Sequence, residues 1–276
     1  MTTGRISPYR VVIYAVLCFG ALLIIFPFVW MMLSSFKSLA EIMAFPPTFF
    51  PEQPTTENYI EVWYRVNFSR FFINSTFLLV VKTLIILYTS VLAGYVFAKL
   101  QFKGRDIWFL CILSTMMVPY PVTVLSLYQQ MVWFRWVDTY KSLIVTGVFN
   151  TFGIFVMKQF ISTLPDSLME SARIDGAGEF TILHRIVVPL VKSALSALAI
   201  FIALSVWNDF LWPFLMLNSD GKYTMPVGLA LFKGRYYNDY SKQITGAAIT
   251  VMPMIVIYLF LQRQFVAGIV LTGMKE

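Results

Sequence analysis

The chain has 276 residues, of which 58% are hydrophobic, 17% aromatic and only 13% charged, where a soluble domain carries about 25% charged residues. That balance excludes an ordinary soluble enzyme domain. It also turns the net charge of +7 into a matter of basic loops beside anionic lipid headgroups rather than of nucleic acid.

The charges cluster, and the gaps between them predict an all-α polytopic membrane protein. Residues 1–276 read as a single domain with a core at about 71–262. A helix needs about 20 apolar residues to cross the hydrocarbon core, and six spans are expected. The first lies within 11–36, uncharged between Arg10 and Lys37. It is too long for a signal-peptide core and has no convincing cleavage site, so it reads as a retained span. The connection 37–70 holds Pro46, Pro47, Pro51 and Pro54 and then a mixed stretch, ENYIEVWYRVNF. It predicts an extended loop followed by a short interfacial helix. The second span is 71–98, carrying Lys82. The third is 107–128, with Pro119 and Pro121 inside it, and the fourth is the short 142–159. The fifth is 191–217, carrying Asp209, and the sixth is 244–262, with Pro253 inside it. Runs this continuously apolar favour helices over a barrel, and prolines within them imply kinks. The connection 218–243, rich in Gly, Tyr and Asp, reads as a surface recognition loop. Cys18 and Cys111 both fall in apolar spans, as small core residues rather than a disulfide or a metal site. An even span count puts both termini on one side, and the short basic loop 99–105 favours the cytoplasm for that side.

The polar stretch 164–189 interrupts this pattern. Ser167 and Glu170 have capping-box spacing, and Leu164, Leu168 and Ala172 recur every four residues, giving one modest apolar face. Gly176 stands where a helix-ending C′ glycine belongs. A second short helix is expected near Glu179, with Phe180, Leu183 and Val187 on one side, before Pro189. Two short helices joined by a glycine turn make a knob, and a glycine at the bend lets another surface approach closely. An ordinary helix-turn-helix connector has the same spacing. His184, the one histidine of the chain, reads as a surface residue. No G-x-x-x-x-G-K-[ST] occurs, so no P-loop holds nucleotide here.

Glu170, Ala172, Gly176, Ile186 and Pro189 fall in register on the pattern E-A-A, three residues, G, nine residues, I, one residue, L-P. Ser171 and Val188 depart from it mildly. In this the stretch resembles the EAA loop of the permease subunits of ABC importers. Further segments carry the resemblance over nearly the whole chain: Asn74-Ser75, Phe102 to Arg105, Gly153 to Phe155, Leu164-Pro165, Trp207 to Pro213, Tyr223 to Leu229, and Gln262 to Ile269. Together they look like the carbohydrate-uptake branch, and specifically the maltose-type second permease.

The resemblance implies a transport subunit and not an enzyme, multi-pass in a bacterial or archaeal plasma membrane with both termini and the EAA loop cytoplasmic. It implies a homologous permease, an ABC ATPase dimer and an extracellular or periplasmic solute-binding protein as partners. A di- or oligosaccharide would be the substrate, and ATP and Mg would be bound by the ATPase rather than by this chain, for which no cofactor or metal is expected. The ATPase contact would centre on Glu170, Ala172 and Gly176, flanked by Arg173 and Asp175.

Trp207, Asn208, Asp209 and Trp212 form a polar-aromatic cluster within an apolar run. Aromatic faces pack on sugar C–H surfaces, and amides and carboxylates bond hydroxyls, so these four are the substrate-path candidates. Interhelical packing by the tryptophans and capping of a broken helix by Asn208 and Asp209 explains them equally well. Asn74, Gln129 and Asn150 read as interhelical hydrogen-bonding residues. A permease for another solute, such as a polyol phosphate or polyamine, is an alternative. An ion-driven secondary transporter would need internal repeats and paired midplane charges.

Overall fold

The computed structural model describes residues 8–65, 67–235 and 239–273, with the backbone alone at 8, 65, 231, 233–235 and 260–273. The termini, whose cytoplasmic placement was expected, lie outside the described residues at 1–7 and 274–276. So do residue 66 of the first long connection and residues 236–238 of the second.

Among the described residues every regular element is helical, as the composition demands. Three helices among the described residues are long and apolar enough to cross a membrane: Tyr9–Ser34, Phe68–Lys99 and Tyr240–Leu259. Two bent pairs, Arg105–Met117 with Tyr120–Trp133 and Glu179–Leu190 with Lys192–Trp207, raise the number to five if each pair is one span.

The expected spans differ in how well they run as single helices. The second is continuous as Phe68–Lys99, with no proline in its 32 residues. The third turns by 100°, because Pro119 sits extended at φ −62, ψ 133 and forces the residue before it out of the helical region. The fourth is divided into Tyr140–Val145 and Thr151–Ser162. Asn150 makes the division: its side chain accepts from the Gly153 N–H at 2.7 Å and starts a new helix, a role asparagine fills better than a helix interior. The 218–243 connection is largely helical rather than a loop. It holds a 3-10 turn at Asp220–Lys222 and the helix Met225–Arg235, whose Met225, Val227 and Phe232 are buried.

Packing divides the chain into two compact units, Met1–Ser69 with Leu229–Met252 and Arg70–Gly228 with Pro253–Glu276. In the first unit, Pro8–Ser34 exposes its apolar side chains all round, and none of its most hydrophobic window is buried. The carbonyls just past its end find side-chain donors: Asn58 donates to Lys37 O at 2.9 Å and Thr245 donates to Ser35 O at 3.1 Å. A short helix is present where one was expected after the prolines, as Glu57–Ile60 continued by a π-turn at Glu61–Arg65.

In the second unit the core gathers Ile86, Val91, Tyr95, Met157, Ile161, Met169, Ile182, Leu183 and Leu198. The Phe68–Lys99 and Thr151–Ser162 helices cross closely at Gly94. A Cβ there would lie 2.7 Å from Met157 Cβ and 2.9 Å from the Lys158 backbone nitrogen, so only glycine admits this approach. Cys18 and Cys111 are not core residues of this chain: both are free and exposed. In a membrane helix the outward face is apolar too, and a thiol can sit there without burial.

Candidate functional site

The 164–189 stretch folds as two short helices about a glycine bend. Pro165 is extended at φ −61, ψ 133, and the first helix, Asp166–Ile174, begins directly after it. Ser167 is therefore already inside the first turn. The capping box expected from Ser167 and Glu170 does not form, and the Ser167 carbonyl instead accepts from the Ser171 hydroxyl at 2.8 Å. The helix ends as the glycine predicts. Gly176 has φ +81, its N–H donates to Arg173 O at 3.0 Å, and the Ala177 N–H donates to Ala172 O at 2.9 Å. These two bonds make a Schellman motif. A Cβ on Gly176 would meet nothing within 4 Å, so the left-handed backbone alone demands the glycine and the space in front of it is open.

The second helix starts at Glu179 as expected and passes through a π-turn, Leu183–Val187, into Val188–Leu190. Its buried residues are Ile182, Leu183 and Val187. Phe180, assigned to the same side, instead points out and is 68% exposed. Residues two apart on a helix point about 200° apart, so the face that buries Ile182 turns Phe180 out. In the first helix Met169 is the buried residue, supported by Leu164 and Ala172, while Leu168 is exposed. His184 is on the surface, with Nδ1 donating to Phe180 O at 2.7 Å.

Charged contacts tie the two helices to each other and to the Phe68–Lys99 helix. Arg173 grips Glu179 with Nε–Oε1 at 2.7 Å and Nη2–Oε2 at 3.3 Å, bridging the two helices across the bend. The guanidinium, together with the Tyr95 hydroxyl that donates to Oε2, holds the Glu179 carboxyl below its ordinary range. Lys99 donates to Leu164 O at 2.5 Å and to Asp166 Oδ1 at 2.6 Å, which likewise lowers the Asp166 carboxyl.

The 207–212 cluster lies at a helix break. Lys192–Trp207 stops at Asn208, and Leu211–Met216 resumes after Phe210. Trp207 and Trp212 are both buried. The Trp212 indole donates to Ser142 O at 3.0 Å, and Trp207 meets Phe72 edge-on at 6.1 Å. Asn208 is exposed and its amide donates to Leu204 O at 3.0 Å. Asp209 Oδ2 lies 3.4 Å from Lys82 Nζ, with the side chains 28% and 10% exposed. A lone charge in an apolar span is costly, and such residues pair.

Residues 90–270 match the family described as binding-protein-dependent transport system inner membrane component. This chain belongs to that family. The resemblance read from its motifs is thereby borne out, and the inner-membrane transport component has relatives that cover nearly its full length. It is 34% identical over 260 residues to the arabinooligosaccharides transport system permease protein AraQ of Halalkalibacterium halodurans, covering 93% of each chain. It is 33% identical over 274 residues to AraQ of Bacillus subtilis, covering 98% of each. Its fold matches a crystal structure of a bacterial ABC transporter involved in the import of the acidic polysaccharide alginate. That match has TM-score 0.83 at 23% identity and covers 95% of this chain and 100% of that one.

Within this inner-membrane component, Glu170, Arg173, Asp175 and Gly176 are exposed around the bend, with Arg173 already paired, and Ala172 is half-buried against the core. The substrate-path candidates separate into two buried tryptophans and the accessible pair Asn208 and Asp209. Asn74 does bond a segment distant in sequence, whereas the Asn150 bond is local, a cap on its own helix rather than an interhelical one. Two features were not read from the sequence. The first is the Lys82–Asp209 pair, for which the signal was present: one cation and one anion in otherwise uncharged runs. The second is a polar knot around Asp138. Its carboxylate accepts from the Asn218 and Ser219 N–H groups at 3.0 Å, the Ser219 hydroxyl at 2.6 Å and Lys222 Nζ at 2.7 Å. Burial pushes this carboxyl up, but Lys222 and the Ser219 and Asn218 donors together hold it well below the usual range. Nothing in the local sequence near Asp138 announces partners some eighty residues away.

Proposed function

We propose that this chain is the permease subunit of an ATP-driven, binding-protein-dependent importer of di- or oligosaccharides. It forms half of a translocation pathway with a homologous permease. Six spans cross the membrane, some of them bent or interrupted, and both termini and the 164–189 loop face the cytoplasm. An ABC ATPase dimer binds ATP and Mg and hydrolyses the nucleotide. One of its subunits receives the loop, with Glu170, Asp175 and Gly176 at the contact, Ala172 seating the loop on the membrane core and Arg173 holding its two helices together. A solute-binding protein delivers sugar to the opposite face, where 37–70 and 218–243 lie. Asn208 and Asp209 line the path, with Trp207 and Trp212 as packed walls behind them.

The observation that carries this reading is the bend at Gly176, a rigid knob with open space before its glycine on a chain of the transport family. On this reading it is a two-state element, biased from one side by nucleotide and from the other by loaded binding protein. The choice of sugar is supported by two relatives named for arabinooligosaccharide transport, each about one-third identical over nine-tenths or more of the chain.

The test is reconstitution of the purified complex in proteoliposomes with ATP inside. A panel of arabinooligosaccharides, other disaccharides, a polyol phosphate and a polyamine would be offered with the binding protein. ATP-dependent uptake of an oligosaccharide is expected. Uptake confined to the phosphate or the polyamine would refute the sugar assignment, and uptake driven by an ion gradient without any ATPase would refute the importer itself.

A further inference from the structure

The loop is joined by the chain to Thr151–Ser162 and to Lys192–Trp207, but both joints are weak conductors of movement. The first passes through the extended Pro165, and the second turns by 83° at Val191, whose φ −98, ψ 15 lies outside the helical region. Its polar side-chain attachment is lateral, to a helix distant in sequence. Tyr95 and Lys99 occupy the last two turns of Phe68–Lys99, and each holds one of the loop's two helices. Tyr95, 2% exposed, donates to Glu179 in the second helix. Lys99, with a side chain 5% exposed, donates to Leu164 O and Asp166 at the start of the first. The Arg173–Glu179 bridge then closes the frame.

The other end of the same helix is tied with equal care. The Asn74 side chain donates to Gly221 O at 3.0 Å and to Tyr223 O at 2.9 Å, and the Ser75 hydroxyl accepts from the Met225 N–H at 2.8 Å. These contacts grip the turn that the Asp138 knot also holds. From Ser75 to Tyr95 is about 30 Å at 1.5 Å per residue. Between residues 70 and 228, the other expected spans are interrupted near Pro119, Asn150 and Asn208 among the described residues. An interrupted helix absorbs displacement at its break, whereas an unbroken one moves as a rod.

We propose that the Phe68–Lys99 helix carries movement between the loop and the 218–225 turn, with Tyr95 and Lys99 as the positioning residues that receive it and Asn74 and Ser75 as those that deliver it. This rests on the reading of 164–189 as the ATPase-docking loop. Tyr95 and the Lys99 side chain meet the loop from its buried side, 2% and 5% exposed, so the proposal requires that docking survive their loss while the transfer does not.

The experiment uses the whole importer in proteoliposomes, with Cys18 and Cys111 replaced by Ser. One spin label is placed at Thr181→Cys in the loop and another, in a separate preparation, at Asn218→Cys in the far turn. Spectra are compared without nucleotide and with Mg-ATP plus vanadate. In the parent complex both labels are expected to change. In Tyr95→Phe and Lys99→Met the Thr181 label still responds, while the responding fraction of the Asn218 label falls at least about fivefold. Lys99→Arg restores it. An undiminished Asn218 response in both variants overturns the proposal. Loss of the Thr181 response in them overturns it too, since the two residues would then shape the docking surface itself. A parent complex in which the Thr181 label ignores nucleotide refutes the docking reading instead.

Discussion

The bend at Gly176 and the break at 208–210 both interrupt a helix, for opposite reasons. At Gly176 the backbone decides: a left-handed residue closes a Schellman motif, nothing crowds the glycine, and the surrounding side chains mostly face outward. At 208–210 the neighbours decide. Two tryptophans are buried against other helices, and Asp209 is held by Lys82 from 127 residues away. A bend written in one residue can protrude and still keep its shape. A break held by distant partners lasts only while those partners stay in place, which suits a segment that moves.

The largest expected effect tests the first half of this contrast. Gly176→Val places a β-branched residue in the left-handed region, at a cost of about 1–3 kcal/mol of strain with no steric clash. The Schellman motif opens and the knob loses its shape. ATP-dependent uptake should fall at least about tenfold, with the ATPase co-purifying poorly. Full uptake by this variant would show that the bend is not the coupling element.

Asp209→Asn tests the second half. It strands the Lys82 ammonium, 10% exposed, without its counter-charge. Breaking a buried pair costs about 3–5 kcal/mol, less here because Asp209 is 28% exposed, so about 2–3 kcal/mol is expected. The melting temperature in detergent should drop by several degrees and recover in the double variant Lys82→Met with Asp209→Asn. If the double variant is no more stable than the single, the pair is not what holds the break.

Trp212→Phe is milder. It removes the bond to Ser142 O, worth about 1 kcal/mol, and should lower the melting temperature by about 2–4 °C. A larger fall would mean that the indole's bulk, rather than its N–H, anchors the resumed helix.

The smallest effect is set by pH. Glu179 is held below its ordinary value of 4.5, so its contribution is fully present above about pH 4.5 and is lost as pH falls through the lower folded value. Amide-exchange protection across 164–189 should be flat from pH 8 to 5, once corrected for intrinsic exchange, and should decline below 4.5. Protection that fell between pH 7 and 5 would place the control elsewhere.

Much of the loop was legible because its signals are local. Gly176 needs only its own φ, and Glu179 opens the second helix after a glycine. Where the reading failed, the cause was a residue's surroundings. Ser167 did not cap because Pro165 starts the helix sooner, and Phe180 turned outward because the helix buries the face that carries Ile182. The 218–243 connection read as a loop from its Gly, Tyr and Asp content, but the buried Met225, Val227 and Phe232 give it a helix with an apolar face. For the substrate-path cluster, residue types alone left lining and packing equally open, and burial then separated Trp207 and Trp212 from Asn208 and Asp209.

By itself the sequence determined the solvent this protein lives in, its all-helical class, its family and the position of its glycine bend. Each of these follows from composition, from run length against bilayer thickness, or from one residue's backbone freedom. Tertiary structure alone decided that Lys82 meets Asp209, that Tyr95 and Lys99 hold the loop, and that Asp138 knots a distant turn. Such contacts join groups tens to more than a hundred residues apart, and an ion pair or hydrogen bond between them exists only once the intervening helices have packed.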